Sequence, residues 1–534
     1  MPELAFIPLD DRPCCWQFPL RLAEIGGVSL KLPPDALWRG ADKRQSDSFN
    51  KNAGALLRWL KKRFSGTLSG FGRDECEAML GSWDMICCGG LVASRCPGAG
   101  GQGRHTAAKF GQFLRSVRAY MFTTVMRTAP TQRTAEEVRQ AERLVECSCR
   151  LGRKLVSEGL WPGAGAFYRG ECGGPVQETI RSFGIDFGFW RRYCEYRRRK
   201  HLLNIKILKA WKHEVLSRPS EAEGRGYLAV GLDDTKTAGL NILEVRELQS
   251  IFSEPEAVAA GAGTDETACL LLARAIAKGT ELRVVWPFRG AEEEVTLYEG
   301  HPLGEVLRSQ AQCAGIVTAE EALAEERLDS SAGRELNEVW IYAPFGKQQE
   351  ALWQKEASCD LPDEIMQPWL EALAASLRRG RRVFIADLAY ANGGSLRLFE
   401  ALKERGLWKD ICGYAAWNTA GNALGTVLAW AAVDKRGSGD ILNRRFLAER
   451  LLDDLYYQSV LRPRLSAAWG GAFVFLPGDK LAETEAALAA EMNGLLEGEL
   501  KPLLGLEGCA AGLRVSFPWG RLFEAEADLS LQPR

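Results

Sequence analysis

Short apolar runs alternate with helix-like stretches along most of this chain of 534 residues. "LAFIPL" (4–9), "VSLKL" (28–32), "DMICCGGLVASR" (84–95) and "AYMFTTVMR" (119–127) come first. "GYLAVGL" (226–232), "LRVVWPF" (282–288), "VWIYAPF" (339–345), "RRVFIADLAYANGG" (381–394) and "ICGYAAWNTAGN" (411–422) follow. These runs are rich in β-branched and aromatic residues and read as strands. Between them, "KFGQFLRSVR", "ILEVRELQSIF" and "SLRLFEALKERG" carry helical spacing. Strands alternating with helices predict an α/β protein with a mainly parallel sheet. About eight or nine strands suit a (β/α)8-like barrel with a helical insertion and a helix-rich C-terminal region. Two doubly wound α/β domains are the alternative.

The pattern divides the chain into an α/β catalytic region, 1–436, and a helix-rich region, 437–534. Residues 134–216 read as a charged helical insertion in the first. Within it, Arg197-Arg198-Arg199-Lys200-His201 is expected to form a solvated helix face. The glycine-rich "GAGGQG" (98–103) lacks the Lys-Ser/Thr of a phosphate loop and is expected to be a surface loop.

Charge is balanced, 68 basic against 69 acidic residues, so no nucleic-acid partner is expected. No run approaches the ~20 apolar residues of a membrane span, and the opening "MPELAFIPLDDRP" is not a signal peptide. A cytoplasmic protein without a membrane partner is the expectation. The 15 cysteines include no CxxC pair, and there are four histidines. They are expected to be small core residues in a reducing compartment, with no metal or other cofactor. No HExxH, GxSxG, Walker A or His-centred triad spacing occurs.

The candidate chemistry lies where the predicted strands end, because parallel α/β sheets form their sites on that edge. Asp10, Asp11 and Arg12 follow the first run, Arg95 the third and Arg127 the fourth. Asp233 and Asp234 end "YLAVGLDD", Asp387 and Asn392 lie in "ADLAYANGG", and Trp417, Asn418 and Asn422 in "AWNTAGN". Two adjacent carboxylates repel each other, which raises at least one pKa. Alternate strand residues point to opposite faces, so both reach one ligand only if the chain leaves strand geometry between them. Lys236 is then placed to neutralise one carboxylate, leaving the other to act as an acid.

In order, "IPLDDRP", "GGLVASR", "GLDDTKTAG", "TDETACLLLARA", "ADLAYANGG" and "AWNTAGNALGT" resemble the bacterial family DUF4127. Its members share a PLD start followed by an acidic residue and RP, a strand ending in DD, an AYANG segment and a WNT segment. The likeness spans about residues 4 to 465. It departs at Cys14-Cys15, where members often carry Asn, and at Lys236–Gly239. The resemblance implies no activity. A more local one does: the Asp-Asp strand end is similar to the catalytic pair of hexosaminidases related to O-GlcNAcase. That likeness implies that Asp233 orients an acetamido group and Asp234 protonates the leaving oxygen.

These readings lead to a hydrolase, a glycosidase acting on a small sugar-containing substrate, with Asp233 and Asp234 catalytic. Asp10, Asp11, Arg12, Arg95, Arg127, Asp387, Asn392, Trp417 and Asn418 would bind the substrate. One alternative is a Mg- or Mn-dependent enzyme on a phosphorylated or carboxylated small molecule, with the arginines holding the anion. The other is a non-catalytic ligand-binding protein.

Overall fold

The computed structural model describes residues 1–40, 50–64, 76–95, 100–130, 135–170, 173–216, 226–251, 258–260, 263–323, 336–356, 358–435, 440–471 and 475–533. The chain forms two compact units. One comprises Met1–Asp11, Val28–Leu271 and Tyr298–His301; the other Arg12–Gly27, Leu272–Leu297 and Pro302–Arg534.

The first unit is built on six parallel strands: β1 (Glu3–Ile7), β2 (Ser29–Lys31), β3 (Ala78–Ser82), β4 (Ala119–Val125), β5 (Tyr227–Leu232) and β6 (Val258–Ala260). Their order is β2-β1-β3-β4-β5-β6. Every residue of β3, β4 and β5 is buried, as expected for central parallel strands covered on both faces. The β4–β5 ladder runs in register from Tyr120 opposite Tyr227 to Val125 opposite Leu232.

The second unit has its own parallel sheet: β7 (Glu281–Trp286), β8 (Val317–Ala322), β9 (Asn337–Tyr342), β11 (Val383–Asp387) and β13 (Gly413–Ala415). The order is β13-β11-β9-β7-β8. A small parallel pair, β10 (Gln349–Glu350) with β12 (Tyr390–Ala391), lies in its connecting loops. The Ala420–Val433 helix is buried throughout and packs Trp430 against Phe384 and Phe446. A π-helical stretch, Leu451–Leu461, is almost wholly buried. The antiparallel hairpin β14 (Cys509–Ser516) with β15 (Glu526–Pro533) completes the unit.

The parallel α/β class holds, in its two-sheet form. The alternation along the chain is the same for a barrel, but the strands pair into two open sheets rather than one closed cylinder. The third strand lies upstream of its predicted place. Residues Trp83–Cys88 are a short helix capped by Ser82, whose hydroxyl accepts from the Asp84 and Met85 N–H groups. Gly98 and Ala99 lie outside the described residues, whereas Gly100–Gly103 open the Gly100–Leu114 helix instead of forming a loop.

The insertion is helical, with Ala135–Ser157 and Phe187–Trp211 as its long members. Leu144, Leu151, Phe167, Trp190 and Tyr193 form a core that reaches the sheet edge at Met126 and Leu240. The expected solvated face is half wrong. Arg198 and Arg199 lie outward and pair with Glu195. Arg197, Lys200 and His201 are buried, because positions i, i+3 and i+4 share one helix face and that face meets the sheet. Each has a carboxylate: Arg197 meets Glu244 at 2.7 Å, Lys200 meets Asp84, and His201 Nε2 lies 3.3 Å from Glu247.

Candidate functional site

In the first unit, the carboxyl ends of β4 and β5 carry the main group of candidates. The ladder continues one residue past β5, where Asp233 N–H donates to Val125 O at 3.3 Å. The chain then leaves the sheet, with Thr235 N–H donating to Tyr298 O at 2.9 Å. That departure frees two adjacent side chains from opposite-face geometry. Asp233 turns back to accept the Asp234 N–H at 3.1 Å and pairs with Arg95. Asp234 faces Arg127, Nη1 to Oδ2, at 3.5 Å.

The two carboxylates therefore have different surroundings. The Asp233 side chain is 9% exposed and its arginine 6%, a shielded ion pair. Asp234 keeps 37% of its side chain accessible, and Arg127 keeps 25%. Burial and then the Asp233 charge push the Asp234 carboxyl above the usual range, while Arg127 and Arg95 pull it down. Burial and the neighbouring Arg95 lower the Arg127 guanidinium. The neutralising cations are thus these two arginines. Lys236, expected in that role, is exposed and stands over the Tyr298 ring at 5.9 Å. Asp10 and Asp11 are buried in this unit, and Asp11 accepts the Gly40 N–H at 3.0 Å.

Arg12, Asp387, Asn392, Trp417 and Asn418 belong to the second unit. Asp387 ends β11 and is turned into the protein. It accepts the Ser395 N–H at 2.7 Å, the Tyr414 hydroxyl at 2.8 Å and the Ala389 N–H at 3.3 Å. Burial pushes its carboxyl up to about 7. A side chain at Gly394 would meet Tyr414 and Asp387, so this loop closes on the carboxylate itself. Its partners make Asp387 the organiser of the AYANGG loop, because Ser395 is the N-cap of the next helix.

Asn392 takes a left-handed backbone, φ 59°, donates through Nδ2 to Glu350 at 2.7 Å, and accepts at its backbone carbonyl from Arg462 at 3.0 Å. Its N–H donates to Asn418 O at 2.6 Å, which joins the AYANG and WNT segments. Asn422 closes a capping box with Thr419 at the start of the Ala420–Val433 helix.

Trp417 and Arg12 line a small, tight cleft with Cys14, Phe18, Asp453, Gln458 and Glu524. Arg12 stands over the Trp519 ring at 5.3 Å. Arg450 holds Asp453 at 3.3 Å and Asp454 at 2.6 Å, and Asp454 accepts the Ala416 and Trp417 N–H groups. Burial pushes Asp453 up to about 7 against the pull of Arg450. "LLDDLYYQS" (451–459) lies in the region predicted to be helix-rich. Its acidic pair inside an apolar run is the same pattern as Asp233 and Asp234 at the end of "YLAVGLDD".

Among the described residues, no helix is long and apolar enough to cross a membrane. No curated protein and no solved structure matches the chain. One family model matches residues 4–154 and 185–528, leaving out only the middle of the insertion and the extreme termini. The chain therefore belongs to the family described as "Protein of unknown function (DUF4127)".

Proposed function

We propose that the protein is a hydrolase that cleaves a glycosidic bond in a small sugar-containing molecule through Asp233 and Asp234. One observation carries the reading: two adjacent carboxylates at a parallel strand end lie in opposite electrostatic settings. Asp233 is paired with Arg95 and shielded, whereas Asp234 is accessible and pushed toward its protonated form. Such a split is how one site supplies an ionised carboxylate and a carboxylic acid at the same pH. Asp234 is the proton donor to the leaving oxygen, and Asp233 orients or stabilises the reacting group. Arg95 and Arg127 supply the positive charge that a divalent ion would otherwise bring, so the reading needs no metal.

The test is hydrolysis of a panel of aryl glycosides, N-acetylhexosaminides included, with and without EDTA, by the wild type, Asp233→Asn and Asp234→Asn. Turnover that survives EDTA and falls about 10²–10⁴-fold in Asp234→Asn supports the assignment. Turnover abolished by EDTA and restored by Mg²⁺ or Mn²⁺ replaces it with the metal-dependent reading. No turnover on any member removes it for those sugars.

A further inference from the structure

The pair at the end of β5 leaves one positive charge without a full counter-charge. Arg95 and Asp233 answer each other in a shielded ion pair. Arg127 is the accessible cation of the group, and its donors are unevenly used. Its Nε donates to Ala129 O at 3.1 Å, and its Nη1 reaches Asp234 at 3.5 Å. Charge-assisted hydrogen bonds are shorter, about 2.7–2.9 Å. Its Nη2 has no hydrogen-bond partner among the described residues. The charged groups facing Asp234 are Asp233 and Glu299, which favour its protonated form, and Arg127 and Arg95, which oppose it. Whenever Asp234 holds its proton, as a general acid must, the Arg127 guanidinium loses its anion.

The same guanidinium stands on a backbone held by side chains of the insertion. Arg197, from the insertion, donates through Nη1 to the Arg127 carbonyl at 2.8 Å and through Nη2 to the Met126 carbonyl at 3.1 Å. The Tyr193 hydroxyl donates to the Thr128 carbonyl at 2.9 Å. Three consecutive carbonyls are thus bound by one helix. Arg197 is itself gripped by Glu244 and lies 3.0 Å from the Tyr168 hydroxyl. These three bonds fix where the Arg127 side chain starts.

We infer that Arg127 is the receptor for an anionic group, a carboxylate or a phosphate, on the substrate, and that Arg197 is its positioning residue. The sugar part of this assignment rests on the hydrolase reading above; the anion receptor stands on the geometry of Arg127. A partly accessible guanidinium with an unused Nη2, beside an Nη1 held only by a 3.5 Å contact, offers a planar carboxylate or a phosphate paired N–H donors once Asp234 is protonated. The acid Asp234 and the substrate's anion then alternate as the partners of one arginine.

The experiment is calorimetric titration of the wild-type chain with glucuronate, glucose 6-phosphate and glucose, at pH 5.5 and pH 8. At least one charged sugar should bind saturably, and glucose should bind roughly ten- to a hundredfold more weakly. The two charged probes decide between carboxylate and phosphate. Glucuronate carries the same charge at both pH values, so ionisation of Asp234, which competes for Arg127, should lower its affinity as the pH rises. Arg127→Gln should lose the anion by a similar factor, and Arg127→Lys should keep part of it.

Arg197→Lys keeps a charge beside Glu244 but cannot serve two carbonyls as a fork. It should weaken the anion and leave glucose unchanged, a split that a general loss of stability does not produce. Binding of neither anion, or anion binding indifferent to Arg127→Gln, overturns the inference. Arg127-dependent anion binding without hydrolysis of any glycoside supports it and removes the glycosidase reading. Hydrolysis of neutral glycosides without any Arg127-dependent anion binding does the reverse.

Discussion

Lys200, on the insertion's longest helix, pairs with Asp84 in the short helix that follows β3, and neither side chain is more than 2% exposed. Asp84 also accepts the Thr124 N–H at 2.8 Å, and Thr123 and Asn204 complete the group. A lone buried charge is far more costly than a buried pair. Lys200→Met should therefore destabilise the first unit by about 3–5 kcal/mol. Adding Asp84→Asn to that variant should recover part of the loss, since no unpaired charge remains. Urea unfolding of the single and double variants checks this; simple additivity of the two losses would show that the residues are not coupled.

Asp233 and Asp234 should differ in what their removal does to the fold. Asp233→Asn leaves Arg95 charged and shielded without its carboxylate, so unfolding should require several kcal/mol less, in the range of about 3–5. Asp234→Asn removes a carboxyl whose ionised form the surroundings disfavour, and the partner is partly hydrated. Its thermal midpoint should match or exceed that of the wild type at pH 8. Equal losses from both substitutions would contradict the split environment on which the hydrolase reading stands.

Asp387 gives the second unit a pH dependence of known sign. Its folded-state carboxyl titrates at about 7, above the ordinary carboxylate range. Between pH ~4 and pH ~7 the folded protein keeps a proton that the unfolded chain releases, so stability falls as pH rises through that window. The contribution is on the order of a few kcal/mol. Asp387→Asn retains an acceptor for Ser395 and Tyr414 and does not titrate, so its urea midpoints at pH 5 and pH 8 should lie closer together. The slope that remains belongs in part to Asp453, which shifts in the same direction. An unchanged pH dependence in Asp387→Asn would exclude the assignment.

Gly152 lies in the Ala135–Ser157 helix, and a Cβ there would strike the Ala238 carbonyl. Replacing a helix glycine by alanine ordinarily gains up to ~1 kcal/mol. Here the methyl group would push away the Lys236–Gly239 loop that follows the Asp pair. Gly152→Ala should lower both stability and any activity of the Asp233–Asp234 site. Gly494→Ala, with open space at its Cβ, should be neutral or stabilising. Thermal melts of the two proteins side by side decide the matter.

What was legible in the sequence was the alternation, because apolar runs and helical spacing are local. Strand closure is not local, and the same alternation serves a barrel and two open sheets. The third strand was misplaced because Ile86, Cys87 and Cys88 are apolar enough for a strand, while Ser82 had already started a helix. The Asp233–Asp234 end of β5 was readable from its two carboxylates, but its cations were not. Arg95 lies 138 residues away in sequence, and nothing in "TKTAG" distinguishes it from the nearer Lys236. The spacing of Arg197, Lys200 and His201 on one helix face was visible. Their carboxylates, Glu244, Asp84 and Glu247, sit in other segments, so a solvated run looked the same as a buried one.

The first helix, Pro13–Ile25, belongs to the second unit, whereas the strand before it and the five that follow, β2 to β6, belong to the first. Its partners within that unit include Ala420–Val433 and Ile441–Arg450, near the other end of the chain. On a ribosome adding ~5–20 residues per second, those partners emerge roughly 20–80 s after the helix does. Five of the six strands of the first sheet are made in that interval, while the helix still lacks these partners. Phe18 and Leu22, buried in the finished protein, are solvent-facing or chaperone-held for most of synthesis.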